Sequence, residues 1–421
     1  MKKVLSIVTV LVIFCFVITP AFGSTVKVGL NYPKTGPYAD MGLDQYRAAE
    51  LAIGEINASG GILGQQVELV WRDSQSKADV TVANVTDLID NEGVSMVFGG
   101  SSSGVAVAAS GVCQQKGVPF FGTLTYSTDT TGKDGHRHTF RECFDAWAGA
   151  KAMAAYMNQN YAGKKYFYVT ADYTWGWTTE DSFRKFTNTE DKTTHKGITT
   201  PFPGASDEDF KKALGLAKLV KPDVLVLVLF GDDMASGIRI ATSMGLKETC
   251  AIVVPNLTLG MAEAAGPKVM EGVVGALPWC WSVPAKYNYP RGQQFVDAFA
   301  AKYNRYPSTS GASAYTIIYE YKAAAERANS IASADIVKSL ENHKYTLLKD
   351  EQMWRDFDHQ SIQTVYVVRC KNEADVLKDK YKLDYFDIIS SMAGSEAFIT
   401  KAEWDGVRKA DNKMTSLEPL E

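Results

Sequence analysis

Val94-Ser95-Met96-Val97-Phe98-Gly99-Gly100-Ser101-Ser102-Ser103-Gly104 leads directly into Val105–Gln115, a run of small residues at helical spacing. The order is apolar strand, tight glycine turn, helix start. A helix start presents unpaired backbone N–H groups and a partial positive charge to whatever lies in front of it. The serine hydroxyls add side-chain donors there, so the turn suits a carboxylate or a similar small anion. The same letters also fit Gly-x-Ser-x-Gly, the nucleophile elbow of a hydrolase, with Ser102 as the nucleophile.

Working outward, short β-rich runs alternate with helical stretches. Val26–Leu30, Val67–Trp71, Val118–Phe121 and His138–Cys143 read as strands around the serine turn. Leu43–Ala58 and Ala78–Asn91 read as helices, the first stopped by Ser59-Gly60-Gly61. The pattern then restarts. Lys165–Val169, Ile198–Pro203, Asp223–Phe230, Cys250–Val254 and Val273–Trp279 alternate with helices, one of them N-capped by Ser206. The nearly unbroken apolar run Asp223–Phe230 is what a strand covered on both faces requires. Two successive α/β units of parallel sheet follow. The chain then carries the long helices Arg291–Tyr303 and Gly311–Asn329 and a strand at Thr364–Cys370, and ends in a tail whose pattern is mixed.

Residues 1–23 read as a secretory signal: Lys2 and Lys3, an apolar run from Val4 to Ile18, then Pro20 and small residues. The run is shorter than the roughly 20 residues a spanning helix needs. Cys15 lacks the neighbours of a lipoprotein box. Without the signal the chain keeps 42 basic and 48 acidic residues, a formal charge of −6. That balance argues against nucleic acid or an anionic membrane as partner. Export permits disulfides, but Cys113, Cys143, Cys250, Cys280 and Cys370 make an odd set with no metal-type spacing. Neither a metal nor a cofactor is expected.

Several motifs in series resemble the branched-chain amino-acid type of periplasmic solute-binding protein. They are Thr35-Gly36-Pro37-Tyr38-Ala39-Asp40-Met41-Gly42, Ala52-Ile53-Gly54-Glu55-Ile56-Asn57-Ala58-Ser59-Gly60-Gly61-Ile62-Leu63-Gly64, the serine turn, Thr123–Thr128, Trp175-Gly176, and Phe295–Phe299 with Ala314-Tyr315. The resemblance covers about Val26 to His359. It implies two doubly wound parallel-sheet α/β lobes, joined by three hinge crossings, with solute held between them. On that template 24–143 and 281–352 form one lobe, and 144–280 and 353–421 the other. Cys143 and Cys280 then lie near crossings, where a disulfide between them is open. The implied partners are a small-molecule solute and an ABC transporter membrane permease. A monomeric, periplasmic protein is expected, binding a carboxylate-bearing solute, with a branched-chain or other amino acid foremost.

The resemblance also implies the site. Ser103, then Ser102, hydrogen-bonds the ligand carboxylate; both hydroxyls also suit plain helix capping. Thr125 and Tyr126 form the second anion-facing loop. Tyr38 and Met41 line the rim of the first lobe, and Trp175 closes from the second. Phe230 and Asp232 end an apolar strand, where α/β sheets bind ligands. Trp279 is either a pocket wall or hinge packing. One departure stands out: amino-acid binders of this family carry a carboxylate after the strand that here reads Ile252-Val253-Val254-Pro255, and this chain has Asn256. Asn supplies no countercharge to a buried ammonium. Either Asp172 or Asp232 takes that role, or the ligand is an amide, an aromatic acid or another carboxylic acid. An exported serine hydrolase and a ligand-sensing subunit that docks to a receptor stand as the competing readings.

Overall fold

The computed structural model of the chain describes residues 25–420, so the signal reading at 1–23 lies outside the described residues. Five strands form the first sheet: β1 (Val26–Tyr32), β2 (Val67–Asp73), β3 (Met96–Gly99), β4 (Phe120–Gly122) and β5 (Thr139–Arg141). All pair in parallel, in the order β2-β1-β3-β4-β5. The second sheet adds β6 (Tyr166–Ala171), β7 (Gly197–Thr200), β8 (Val224–Val228), β9 (Ala251–Val254) and β10 (Val274–Leu277). Their order, β7-β6-β8-β9-β10, repeats that of the first sheet strand for strand. Each β-run read from sequence falls on one of these strands; the central ones are apolar because they are covered on both faces. β8 is buried at every position.

Two features depart from the purely parallel expectation. After β11 (Lys344–Tyr345), β12 (Gln352–Trp354) and β13 (Ser361–Ile362), which form a small antiparallel sheet, come β14 (Val365–Cys370) and β15 (Phe386–Met392). β14 pairs antiparallel to β10, and β15 antiparallel to β14, extending the second sheet. The C-terminal residues then cross back: Trp404 and Arg408 are buried and donate to the carbonyls of Thr131 and Gly132, in the connection between β4 and β5.

The chain passes between the sheets near Glu142, near Pro278 and again between Lys349 and Thr364. One buried cluster ties these passages. Lys349 Nζ donates to Pro278 O (2.6 Å), Gln363 Oε1 (2.6 Å) and Thr364 O (3.0 Å). Gln352 Nε2 reaches Glu142 Oε1 (3.1 Å), and Gln360 Nε2 donates to Cys143 O (2.9 Å). Burial pushes the Lys349 ammonium down to about 8. Cys143 and Cys280 are free thiols, so the disulfide left open by the template is not formed. Their sulfurs turn to different partners, Thr125 O and Ser282 Oγ.

In both sheets the strand order reverses beside the first strand. There neighbouring connections leave to opposite faces and open a crevice at the strands' C-terminal ends. The two crevices face each other. The residues that follow β1, β3 and β4 on one side meet those that follow β6, β8 and β9 on the other.

Candidate functional site

The serine turn is built as its letters demand. Gly99 has φ +129°, and a Cβ there would lie 2.2 Å from Asn31 O, so only glycine allows β3 to turn beside β1. Ser102 caps the helix Ser103–Lys116, accepting from Val105 N. Ser101 and Ser103 are buried, and neither Oγ has a partner among the described residues. A buried hydroxyl left unpaired costs about 1–3 kcal/mol, so two beside a helix N-terminus mark a place built for an acceptor.

An aromatic box centred on Phe230 joins the two lobes. Its ring lies 5.4 Å from Tyr38, 5.7 Å from Tyr126 and 5.6 Å from Trp175, centroid to centroid. Tyr38 and Tyr126 come from the first lobe, Trp175 and Phe230 from the second. Edge-on and tilted pairs of this kind contribute about 0.5–1.5 kcal/mol each beyond area burial. Tyr126 OH and Trp175 Nε1 are buried without partners among the described residues. Asn256 is 3% exposed, and both its amide oxygen and nitrogen are unpaired. An amide with no satisfied group in the interior is expensive unless something else supplies the bonds.

The lobes touch. Tyr38 OH donates to Tyr173 OH at 3.1 Å, and Tyr173 stacks on Phe202 at 3.8 Å. Gly231 (φ +63°) admits the contact: a Cβ there would meet the Tyr38 ring at 2.6 Å and Pro37 O at 2.7 Å. Met41 is buried against Gly260 of the second lobe.

The acids are arranged differently from the sequence reading. Asp172 is exposed and accepts from Trp177 Nε1, because the chain after β6 turns Tyr173 and Trp175 inward and the carboxylate outward. Asp232 is exposed too, near Asp40 of the facing lobe; burial and that like charge both raise its carboxyl. The inward acid is Asp233, one residue on, which the sequence reading missed. It is buried toward Tyr38 and Tyr173, and burial with neighbouring Asp232 pushes it up to about 6. The doublet Asp232-Asp233 at a helix start was the available signal; the phase of that helix decides which acid faces in. Thr125 is buried, but its hydroxyl is spent on Thr130 Oγ1 (3.0 Å). Trp279 stands apart from the box at the hinge, packed on Phe295, with its Nε1 unpaired. Tyr173, Phe202 and Gln45, whose Nε2 is unpaired among the described residues, also went unread.

Nothing around Ser102 supports a hydrolase. All five histidines are engaged elsewhere, with Glu418, Gln114, Tyr166 N, Arg327 and Glu341. The Ser102 oxygen acts as a helix cap. Among the described residues there is no cluster of metal-ligating side chains, and no helix long and apolar enough to cross a membrane.

A family model described as "Periplasmic binding protein" matches residues 25–375. The chain belongs to the periplasmic binding protein family. Within it, the chain is similar to the Leu/Ile/Val-binding protein BraC3 of Rhizobium johnstonii. The two are 27% identical over 322 residues, covering 76% of this chain and 83% of that one. A periplasmic binding protein of Burkholderia mallei has the same fold, with TM-score 0.81 and 23% identity, covering 90% of this chain and 97% of that one. So does a Rhodopseudomonas palustris solute-binding protein of an ABC transporter, solved with 3,4-dihydroxybenzoic acid. Its TM-score is 0.75 at 18% identity, covering 88% of this chain and 98% of that one.

Proposed function

We propose that this periplasmic binding protein captures a small carboxylate-bearing solute between its lobes and presents it, closed, to an ABC transporter membrane permease. The observation that carries the reading is the set of buried, unpartnered polar atoms around the aromatic box: Ser101 and Ser103 Oγ, Tyr126 OH, Trp175 Nε1 and the Asn256 amide. The hydroxyls and the helix N-terminus take the carboxylate, and the rings cover the apolar body. The lobes are taken as 24–143 with 281–352, and 144–280 with 353–421. Solute binds the serine turn first; the second lobe then swings in about the crossings and brings Trp175, Phe230 and Asn256. The same account has the protein exported through residues 1–23, acting in the periplasm as a monomer.

A leucine-type amino acid is the first candidate, by similarity to proteins named Leu/Ile/Val-binding. Asp233, not Asp172 or Asp232, is then the carboxylate that answers the ammonium. A second reading has its own observation: Asn256 offers an uncharged donor and acceptor where an amino-acid binder would carry an acid, which suits an amide or an aromatic acid. The Rhodopseudomonas palustris protein bound to 3,4-dihydroxybenzoic acid gives that reading a precedent in the fold. A thermal-shift panel of apolar amino acids, their amides and benzoates decides. A rise in Tm confined to amino acids supports the first reading, and a rise with benzoates or amides alone supports the second. No rise with any of the three refutes capture of a carboxylate-bearing solute.

A further inference from the structure

Beside the hinge, outside the aromatic box, a chamber of about 240 Å³ lies between the lobes. That exceeds by more than tenfold the ~10–15 Å³ one water requires. Thr128 and Thr131 form its wall on the first lobe; Trp147, Asp181 and Lys185 form the wall on the second. Its roof is the helix Lys401–Ala410, through Trp404 and Val407. This roof lies beyond residue 375, where the family match ends.

The roof is fastened to the first lobe. Trp404 Nε1 donates to Thr131 O at 2.8 Å, and Arg408 Nη1 to Gly132 O at 2.7 Å and Gly135 O at 3.2 Å. Glu418 accepts from Arg137 N at 2.9 Å and pairs with His136 Nδ1 at 2.8 Å. On its other side the roof packs on Trp147 of the second lobe through Ile399 and Trp404, so it bridges the two lobes above the chamber.

Two of the chamber's charges are not paired with each other. Asp181 and Lys185 stand one turn apart on the helix Thr174–Thr187. The same spacing closes Glu180–Arg184 at 2.7 Å on that helix, and joins Lys401 to Asp405 on the roof. Among the described residues Asp181 and Lys185 form no such bridge. Lys185 Nζ instead sits 4.1 Å over the Trp147 ring, with Glu403 of the roof as its facing charge. Trp147 Nε1 is buried with no partner. Two further lining carboxylates, Asp145 and Asp358, are neutralised by Arg141 and Arg355, which leaves Lys185, Asp181 and an indole N–H around one space lined by tryptophan and aliphatic carbon.

That set matches a zwitterion with an apolar side chain. Its carboxylate would take Lys185 and Trp147 Nε1, and its ammonium Asp181. Its side chain would lie among Trp147, Ile399, Trp404 and Val407. We propose that the chamber is a second binding site, for an α-amino acid with an apolar side chain, linked to lobe closure because its walls belong to both lobes. A ligand that fits only one lobe spacing must bias the solute cleft, and the cleft must bias it in return.

The test is calorimetric titration of the full chain with L-phenylalanine, compared with Asp181→Lys, Lys185→Glu and the cavity-filling Val407→Trp. Asp181 and Lys185 are exposed, so their reversals leave the thermal melt unchanged. One binding event should weaken about tenfold or more in each variant. It should persist in Ser103→Ala with Asn256→Ala, which disables the cleft but not the chamber. 3-Phenylpropionate, which lacks the ammonium, should bind at least about tenfold more weakly. The proposal is overturned if the phenylalanine binding that remains in the cleft variant survives both charge reversals made in that same variant, or if no phenylalanine binding remains in the cleft variant. Equal affinity for phenylpropionate also overturns it. The charge reversals touch no cleft residue, so this failure is distinct from failure of solute capture.

Discussion

Replacing Lys349 with Met keeps the shape of the side chain and removes the one ammonium that joins the hinge passages. Three buried acceptors lose their donor: Pro278 O, Gln363 Oε1 and Thr364 O. Each costs about 1–3 kcal/mol when left unpaired, about 6 kcal/mol together at mid-range. Against that, the folded protein no longer buries a charge. The depression of Lys349 from 10.5 to about 8 is worth about 3 kcal/mol at 1.36 kcal/mol per pH unit. The net expectation at pH 7 is a loss of about 3 kcal/mol, read by urea unfolding. The pH dependence gives a second, independent check. Because the folded pKa lies below the unfolded one, both states are protonated at pH 7 and the burial penalty is fully present. Between about 8 and 10.5 the folded state sheds its proton first, the unfolded state binds more protons, and stability from this group rises with pH. The wild type's advantage over Lys349→Met should therefore widen between pH 7.5 and pH 10, with tyrosines and other groups cancelling in the difference. Equal stability at pH 7, or a difference flat across that window, refutes the claim that Lys349 holds the hinge.

Asn256→Asp tests ligand chemistry. For an α-amino acid the new carboxylate should raise affinity about tenfold by titration calorimetry, whereas for an acid or amide it should lower affinity by at least as much. Gly231→Val puts carbon into the Tyr38 ring, so small-angle scattering of the solute-saturated variant should keep the radius of the open form. A compact saturated variant would refute that contact as the closing surface. Asp233 has a folded pKa of about 6, raised above its ordinary value of 3.8. Its folded state therefore holds the proton longer, and its contribution to stability falls as pH rises from about 4 to about 6. Asp233→Asn should gain stability over the wild type at pH 7 and not at pH 3.5, by thermal unfolding. An equal shift at both values would refute its burial as an acid.

The parallel core was legible because burial on both faces leaves little choice of residue. β8 and its neighbours are continuous apolar runs, and Ser206 and Gly99–Gly100 mark where such runs stop. The C-terminal region was not. β15 is an edge strand with Asp387, Ser390 and Ser391 on its open side, so it carries no unbroken apolar signal. The partners of Trp404 and Arg408 lie about 270 residues earlier in the chain, a pairing no local pattern encodes. At the site, the serine turn and the aromatic positions came from the family resemblance, and only Phe230 and Asp232 from their place after a strand end. The inward acid was not legible, because one residue of helical phase separates exposed Asp232 from buried Asp233. Asp172 was misassigned for a similar reason: a strand end offers residues to both sides, and Tyr173 took the inner one.

The most direct measurement of solute capture is titration calorimetry of the wild type and Ser103→Ala with whichever solute raises the melting temperature. Removing a buried hydroxyl from a ligand carboxylate should weaken binding by about 1–3 kcal/mol, roughly 5- to 150-fold, with the stoichiometry unchanged at one solute in the cleft. Unaltered affinity in Ser103→Ala would mean that the serine turn does not grip the solute, and the account would fail at its centre.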